Sequence, residues 1–251
     1  MKDKIILITG AGSGIGKALC LSLHHENQLI VIGRDQKKLD EIKSKDKERI
    51  DPYICDIADA DQVNLTYQKI ASKYDHIDIL INNAGMSDAR PFSDYDYSKI
   101  KKILDINVLG TIYFTKVFLP LVLKKSGTVA NVGSMFGDIA HPLYSIYSAS
   151  KFAIKGFSDA LRREYMHQGL KVSYIAPRAT QTDALNTTKE YSKHFEMNID
   201  HPVVVAENII DGLKKQKNYI YPKSIERLFV FIQKMFPKAI DQNLNAKIKN
   251  L

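Results

Sequence analysis

The segment SIYSASKFAIKG, Ser145 to Gly156, carries a tyrosine and a lysine four positions apart, Tyr147 and Lys151, inside a stretch of helical pattern. Residues at that spacing share one helix face, so a phenol and an ammonium are presented together. A free tyrosine ionises near pH ~10, too high for an effective base at neutrality; a neighbouring ammonium favours the phenolate and lowers that value. Such a pair can move a proton to or from an oxygen, which the interconversion of a secondary alcohol and a carbonyl requires whenever a hydride is transferred. Taken alone, a Tyr and a Lys at this spacing are more often an amphipathic side chain beside a solvated charge. Ser134, at the end of an upstream apolar run, changes the balance, because its hydroxyl can hydrogen-bond a substrate oxygen as charge develops there.

A second constellation sits near the start. Thr9-Gly10-Ala11-Gly12-Ser13-Gly14-Ile15-Gly16 follows the apolar run KIILIT and opens a helical pattern. Glycines let the backbone turn tightly and approach a pyrophosphate, while the new helix offers free N–H groups and the positive end of its dipole. Gly10, Gly14 and Gly16 are spaced as TGxxxGxG, unlike the usual dinucleotide fingerprint, whose first two glycines are separated by a single residue.

These residues need a frame. Short Ile- and Val-rich runs fall at 4–9, 29–33, 50–55, 77–82, 128–133, 171–176 and 218–221, and helix-period stretches lie between them at 14–26, 35–46, 59–74, 96–124, 144–168 and 203–217. Nearly continuous apolar strands alternating with helices predict an α/β fold: a Rossmann-type, doubly wound, mainly parallel seven-stranded sheet with helices on both faces. No linker or internal repeat divides the chain, so residues 1–251 are expected to form a single domain.

With that order in place, the TGxxxGxG loop resembles the short-chain dehydrogenase/reductase family, and further elements similar to that family follow in sequence. Asn82-Asn83-Ala84-Gly85 comes after the fourth strand and Asn107 lies in the next helix; then come Ser134, the Tyr147/Lys151 pair, and Pro177 and Thr182 in a segment resembling PGxVxT. The resemblance spans roughly residues 4 to 222. It implies an NAD(P)-dependent oxidoreductase with Asn107, Ser134, Tyr147 and Lys151 as catalytic positions, Lys151 also holding the nicotinamide ribose and Asn107 a proton-relaying water. It also implies a cofactor held by Gly10, Ser13, Gly14, Ile15, Gly16, Ile57, Asn83, Ala84, Gly85, Tyr147, Lys151, Pro177 and Thr182. Asp56, ending YICD, resembles the position that contacts the adenine amino group, or is simply a helix N-terminal acid. Homodimers or homotetramers are expected on the same ground.

The cofactor is suggested by VIGRDQKKL. A carboxylate at the end of the second strand binds the 2′-hydroxyl of NAD; here Gly33 occupies that place and Arg34 follows, a residue able to pair with a 2′-phosphate. NADP(H) is therefore expected in preference to NAD(H), although Asp35 is adjacent and Ser13 is not the extra base that many NADP-preferring relatives carry.

Elsewhere the resemblance thins. Arg178 replaces the glycine of PGxVxT and is expected either to face a substrate carboxylate or phosphate or to reach solvent. Residues 183–201 are polar without a strand pattern, as in a lid over a substrate. Met86, Met135, Phe136, His141 and Leu185 are candidate pocket lining by position, compatible with an apolar or lipid-like carbonyl or alcohol. Cys20 and Cys55 fit small apolar residues in a reducing compartment, no histidine spacing suits a metal, and His24-His25 are read as helix surface.

Lys and Arg number nine between residues 214 and 251 against two acids, Glu226 and Asp241, so +7 of the chain's +8 lies there. Without a recognition motif this does not point to specific nucleic acid. In 223–240, Ile225, Leu228, Phe229, Ile232, Met235 and Phe236 share one helical stripe, widened by Val230 and Phe231 and flanked by Arg227, Lys234 and Lys238. Such a helix either packs on the core or a second subunit, or lies on anionic lipid. The apolar run after MKDK is far short of a signal-peptide core, so the expected location is cytoplasmic, with peripheral contact at a membrane surface through 223–240. Two rivals remain at this point: an NAD-linked alcohol dehydrogenase, and a dinucleotide-binding sensor or scaffold without turnover, against which the intact Ser-Tyr-Lys set argues.

Overall fold

The computed structural model describes residues 1–182, 189–195, 197–222 and 226–248. Seven strands, β1 (Ile5–Thr9), β2 (Gln28–Gly33), β3 (Ile50–Ile54), β4 (Ile79–Asn82), β5 (Thr128–Val132), β6 (Lys171–Ile175) and β7 (Tyr219–Ile220), form one parallel sheet. Its order, β3-β2-β1-β4-β5-β6-β7, reverses direction between β1 and β4, which opens a crevice at the carboxyl edge where α/β sheets take their ligands. The helices are α1 (Gly14–Leu23), α2 (Gln36–Lys43), α3 (Ala60–Ala71), α4 (Tyr97–Leu104), α5 (Thr111–Leu123), α6 (Ser145–Tyr165), α7 (Lys189–His194), α8 (Pro202–Lys214), α9 (Glu226–Met235) and α10 (Pro237–Ile248).

Both sheet faces are covered, as continuous apolar strands require. On one face, Ala18, Leu19 and Leu23 of α1 and Val205, Ala206, Ile209 and Leu213 of α8 pack on Ile6, Ile8 and Val31. On the other, Val63 and Ile70 of α3, Phe114, Phe118 and Leu121 of α5 and Leu161 of α6 pack on Leu7, Leu80 and Val129. Helix starts are fixed by aspartates: Asp35 accepts from Lys38 N, Asp59 from Asp61 N and Gln62 N, and Asp96 from Lys99 N, satisfying donors that have no intrahelical partner.

The expected helix at 96–124 is instead two helices joined by a π-helical turn, Asp105–Gly110. Gly110 sits so close to Ile57 that a Cβ there would lie 2.8 Å from the Ile57 carbonyl oxygen, and the widened turn carries Asn107 into the core. By length and composition Tyr97–Leu123 could cross a bilayer, but Phe114, Phe118, Leu121 and Val122 lie buried within the fold. Cys20 is buried in the α1 packing and burial pushes its thiol up to about 12. His24 is not helix surface: it closes α1 at 6% exposure with its Nδ1 3.6 Å from Asp46, whereas His25 is exposed. The apolar stripe expected through 223–240 is divided, because Pro237 starts a new helix; Ile225 lies outside the described residues.

Candidate active site

The carboxyl ends of β1, β4, β5 and β6 surround a cavity of about 1210 Å³, more than one small ligand needs. Its floor at the β1 end is the glycine loop. Gly10 and Gly14 have φ of +65° and +52°, and a Cβ on Gly16 would lie 2.2 Å from the Gly10 carbonyl oxygen, so this turn closes only with glycine there. Ser13 precedes α1 with its side chain making no cap hydrogen bond, which leaves the first N–H groups of that helix directed at the cavity. Ser13, Gly14 and Ile15 line it, as do Arg34, Asp56, Ile57, Ala84, Gly85, Pro177 and Thr182. Such a cradle fits the pyrophosphate of a dinucleotide.

Asn83 also borders the cavity, but its amide is spent internally, donating to Thr9 O at 3.0 Å and Gly10 O at 3.1 Å, while Thr9 Oγ1 accepts from Asn83 N and Ala84 N. It braces the loop against β4. At the end of β2, Asp35 is occupied as the α2 cap and Gly33 carries no carboxylate; Arg34 is largely exposed, its guanidinium 3.3 Å from Asp56. Lys38 is a further cation on the cavity wall near Arg34, one that the sequence motif did not mark.

The four expected catalytic positions meet at the β4–β5 end. Lys151, 6% exposed, donates from Nζ to Val132 O at 3.0 Å and lies 5.6 Å from the Tyr147 ring centroid. A Cβ on Gly85 would lie 3.2 Å from Asn107 Oδ1 and 3.6 Å from Lys151 Nζ, so those two side chains converge beside Gly85. Asn107 is locked: its Oδ1 accepts from Met86 N at 2.8 Å, and its Nδ2 donates to Met86 O at 2.8 Å and Ser150 Oγ at 3.0 Å. Ser134 Oγ accepts from Phe136 N at 3.1 Å and is hydrogen-bonded to Tyr147.

Burial dominates the electrostatics. It pushes the Tyr147 hydroxyl up to about 12 against the opposing pull of Ser134, and it pushes the Lys151 ammonium down to about 8. Above the tyrosine stands an aromatic group. Phe136 stacks on His141 at 5.0 Å, His141 meets Phe195 edge-on at 4.4 Å, and Tyr144 lies 6.3 Å from Tyr147. Burial lowers His141 to about 4, so its ring is uncharged at neutral pH. Met86 and Met135 line the same space.

Arg178 lines the cavity and is ion-paired there: its Nε donates to Asp200 Oδ2 at 2.8 Å and its Nη2 to Asp200 Oδ1 at 2.6 Å. That bidentate pair ties the segment after β6 to the far end of the expected lid, where Thr180 and Asp200 also form a β-bridge. Leu185 lies outside the described residues. Of the 183–201 segment, residues 189–195 and 197–201 are described, and Phe195 is buried against His141. Tyr144, Phe195, Phe229 and Ile232 are lining residues that the sequence reading missed. Only Tyr144 carried a signal, being one helical turn before Tyr147.

A family model described as short chain dehydrogenase matches residues 4–216. The chain belongs to that family. It is an oxidoreductase. Dehydrogenase/reductase SDR family member 7B of Mus musculus is 29% identical over 254 residues, covering 94% of this chain and 79% of the relative. The chain's fold is similar to that of a short chain dehydrogenase/reductase from Burkholderia phymatum in complex with NAD, with TM-score 0.86 and 18% identity over 95% of each chain. It is similar also to a short chain dehydrogenase from Burkholderia cenocepacia in complex with NADP, with TM-score 0.84 and 20% identity over 97% of this chain and 98% of that one. At these identities the two structures speak for the fold.

Within this short chain dehydrogenase site, Lys151 is a buried charge whose cost the fold must carry. Replacing it by Met should abolish turnover yet raise the melting temperature by several degrees at pH 7, since each 1 kcal/mol recovered is worth about 2–4 °C at this size. The gain should be full below pH 8, where the folded lysine is charged, and should fade as pH rises towards the ordinary lysine value of 10.5. Calorimetry of both proteins between pH 7 and 10 checks this.

Proposed function

We propose that this oxidoreductase transfers hydride between NADP(H), preferred over NAD(H), and an apolar, lipid-like carbonyl or secondary alcohol. The observation that carries the reading is the meeting of Tyr147, Ser134, Lys151 and Asn107 in the cavity whose other end is the glycine cradle. The dinucleotide, when bound, supplies or accepts the hydride. In reduction, the Ser134 hydroxyl donates to the carbonyl oxygen while the Tyr147 hydroxyl gives up its proton to it. The Lys151 ammonium stabilises the phenolate that remains, and Asn107, fixed by Met86 and Ser150, would hold a water beside Lys151 through the second lone pair of its Oδ1. The aromatic wall excludes water and favours an uncharged substrate. Cofactor preference rests on Arg34 beside a β2 end where Gly33 carries no carboxylate and Asp35 caps α2. The family resemblance alone supports assembly as a homodimer or homotetramer.

A cytoplasmic location with peripheral membrane contact belongs to the same reading. Leu228, Phe231, Met235 and Phe236 are exposed on α9 and its end, beside exposed Lys234 and Lys238, a composition that suits anionic lipid. Phe229, partly on that surface, also lines the cavity, which gives an apolar substrate a path inward. A second copy is a poorer occupant, because a self-complementary contact would set these lysines against one another.

Three outcomes are expected. With NADPH and a panel of aryl and long-chain ketones, Tyr147→Phe should still bind NADPH but lose about 10²–10⁴-fold in kcat; wild-type rates from that variant would overturn the mechanism. Arg34→Ala should weaken NADPH about tenfold, the loss of one charge-assisted contact, and leave NADH unchanged; equal loss for both would remove the stated preference. The protein should sediment with phosphatidylserine vesicles at low salt, and Phe231→Asp with Phe236→Asp should release it. Sedimentation that survives both substitutions would show that α9 is not the contact.

A further inference from the structure

We propose that Tyr174 is a positioning residue for the reaction, its hydroxyl gripping both main-chain polar groups of Ser134 and so setting where the Ser134 side chain stands opposite Tyr147. The inference rests on the reading of Ser134 as the group that binds the substrate oxygen.

Tyr174 lies in β6 and is fully buried, on the sheet face shared with Ala176 rather than that of Ile175. Its ring runs under the end of β5. There the hydroxyl donates to Ser134 O at 2.9 Å and accepts from Ser134 N at 3.3 Å. The flanking residues are held by main chain instead: Gly133 N donates to Ile175 O at 2.7 Å and Met135 N to Pro177 O at 3.0 Å. Ser134 O takes a second bond from Gly137 N, whereas its N–H has the Tyr174 hydroxyl. The serine thus stands where the ladder between β5 and β6 has ended and a side chain has taken over its work.

The surrounding sequence is shaped to admit that hydroxyl. A Cβ on Gly133 would lie 2.1 Å from the tyrosine ring, and a Cβ on Gly137 would lie 2.1 Å from its oxygen. The ring itself is fixed from outside. Lys155 Nζ lies 5.9 Å from its centroid and is ion-paired with Asp138, whose side chain is fully buried and accepts from the Tyr221 hydroxyl at 3.1 Å. Burial holds the Tyr174 hydroxyl well above its ordinary value, so it remains a donor to Ser134 O throughout the working range. A serine whose peptide is clamped on both sides presents its hydroxyl in one place, which is what stabilisation of a developing charge demands.

The test compares wild type, Tyr174→Phe, Ser134→Ala and the double variant on the ketone that the wild type reduces fastest, with NADPH affinity measured by fluorescence as the check of folding. Tyr174→Phe keeps the ring and removes only the grip. Its kcat should fall about tenfold to a hundredfold, the scale of a small misplacement at the reacting atoms, while KM and the NADPH Kd stay within about twofold. In the Ser134→Ala background the same substitution should cost nothing further. Hydrogen exchange of the 133–137 amides should speed up in the Phe variant. An unchanged kcat with Ser134→Ala inactive would overturn the proposal and leave the reading of Ser134 standing. An equal loss in both backgrounds would show a merely structural tyrosine. Full activity of Ser134→Ala would overturn the reading and the proposal together. Should Tyr174→Phe fail to bind NADPH, Tyr174→Met, apolar and adaptable, replaces it under the same expectations.

Discussion

A lysine ammonium held almost out of water is the constraint on which the rest of this structure turns. Among the described residues Lys151 reaches one carbonyl, that of Val132, and no carboxylate, so none of them cancels its charge at short range. A buried carboxylate would have made the lysine comfortable and useless, since the field would then be spent on a permanent partner instead of on the Tyr147 oxygen. The surrounding polar groups are arranged to be neutral. Asn107, Ser150 and the Met86 peptide bond one another, and His141 is kept uncharged by its setting. The β4–β5 core repeats the pattern, with Asn82 bonded to Asn131 and Thr115, and Asn131 to Ser158. Neutral amides and hydroxyls fix the strand ends without competing with the charge.

The same economy explains why positioning matters more than reactivity here. Tyr147 is a poor acid at its own pKa, and Ser134 supplies a neutral hydroxyl. What they supply is placement within a wall of aromatic and aliphatic groups, in a cavity that spans from the glycine cradle to the β5 end. Rate is therefore sensitive to the seating of short loops at strand ends, and those loops are closed by glycines that could not be anything larger.

Much of this was legible in the sequence because it depends on local rules. The strands are continuous apolar runs, the glycine loop has one backbone solution, and a spacing of four puts Tyr147 beside Lys151 whatever surrounds them. Where side chains commit over long distances the sequence was silent. Arg178 is one more charged side chain in the sequence, and only the fold sets its Nε and Nη2 on Asp200, twenty-two residues further along the chain. Asn83 borders the cavity as the sequence suggests, but that its amide also ties the glycine loop follows only from the fold. His24 read as surface because the chain that covers it, around Asp46, is a separate element. Tyr174 was unreadable for the same reason: in a strand it is one more large apolar body, and its hydroxyl acquires meaning only once β5 ends beside it. The π-helical turn at Asn107 was hidden by the helix-period pattern of 96–124, which continues through the distortion.

The family match ends at residue 216, yet Phe229, Ile232, Ile240 and Leu244 line the same cavity as Tyr147. The chemistry and the far wall of its chamber thus come from two stretches of chain that obey different constraints. Drift in α9 and α10 can reshape which molecules enter without disturbing a single hydrogen bond of the proton path, much as a lock is rekeyed by changing its cylinder and leaving the bolt in place. Exchanging this terminal segment among relatives is accordingly the shortest route by which the scaffold could acquire a new appetite.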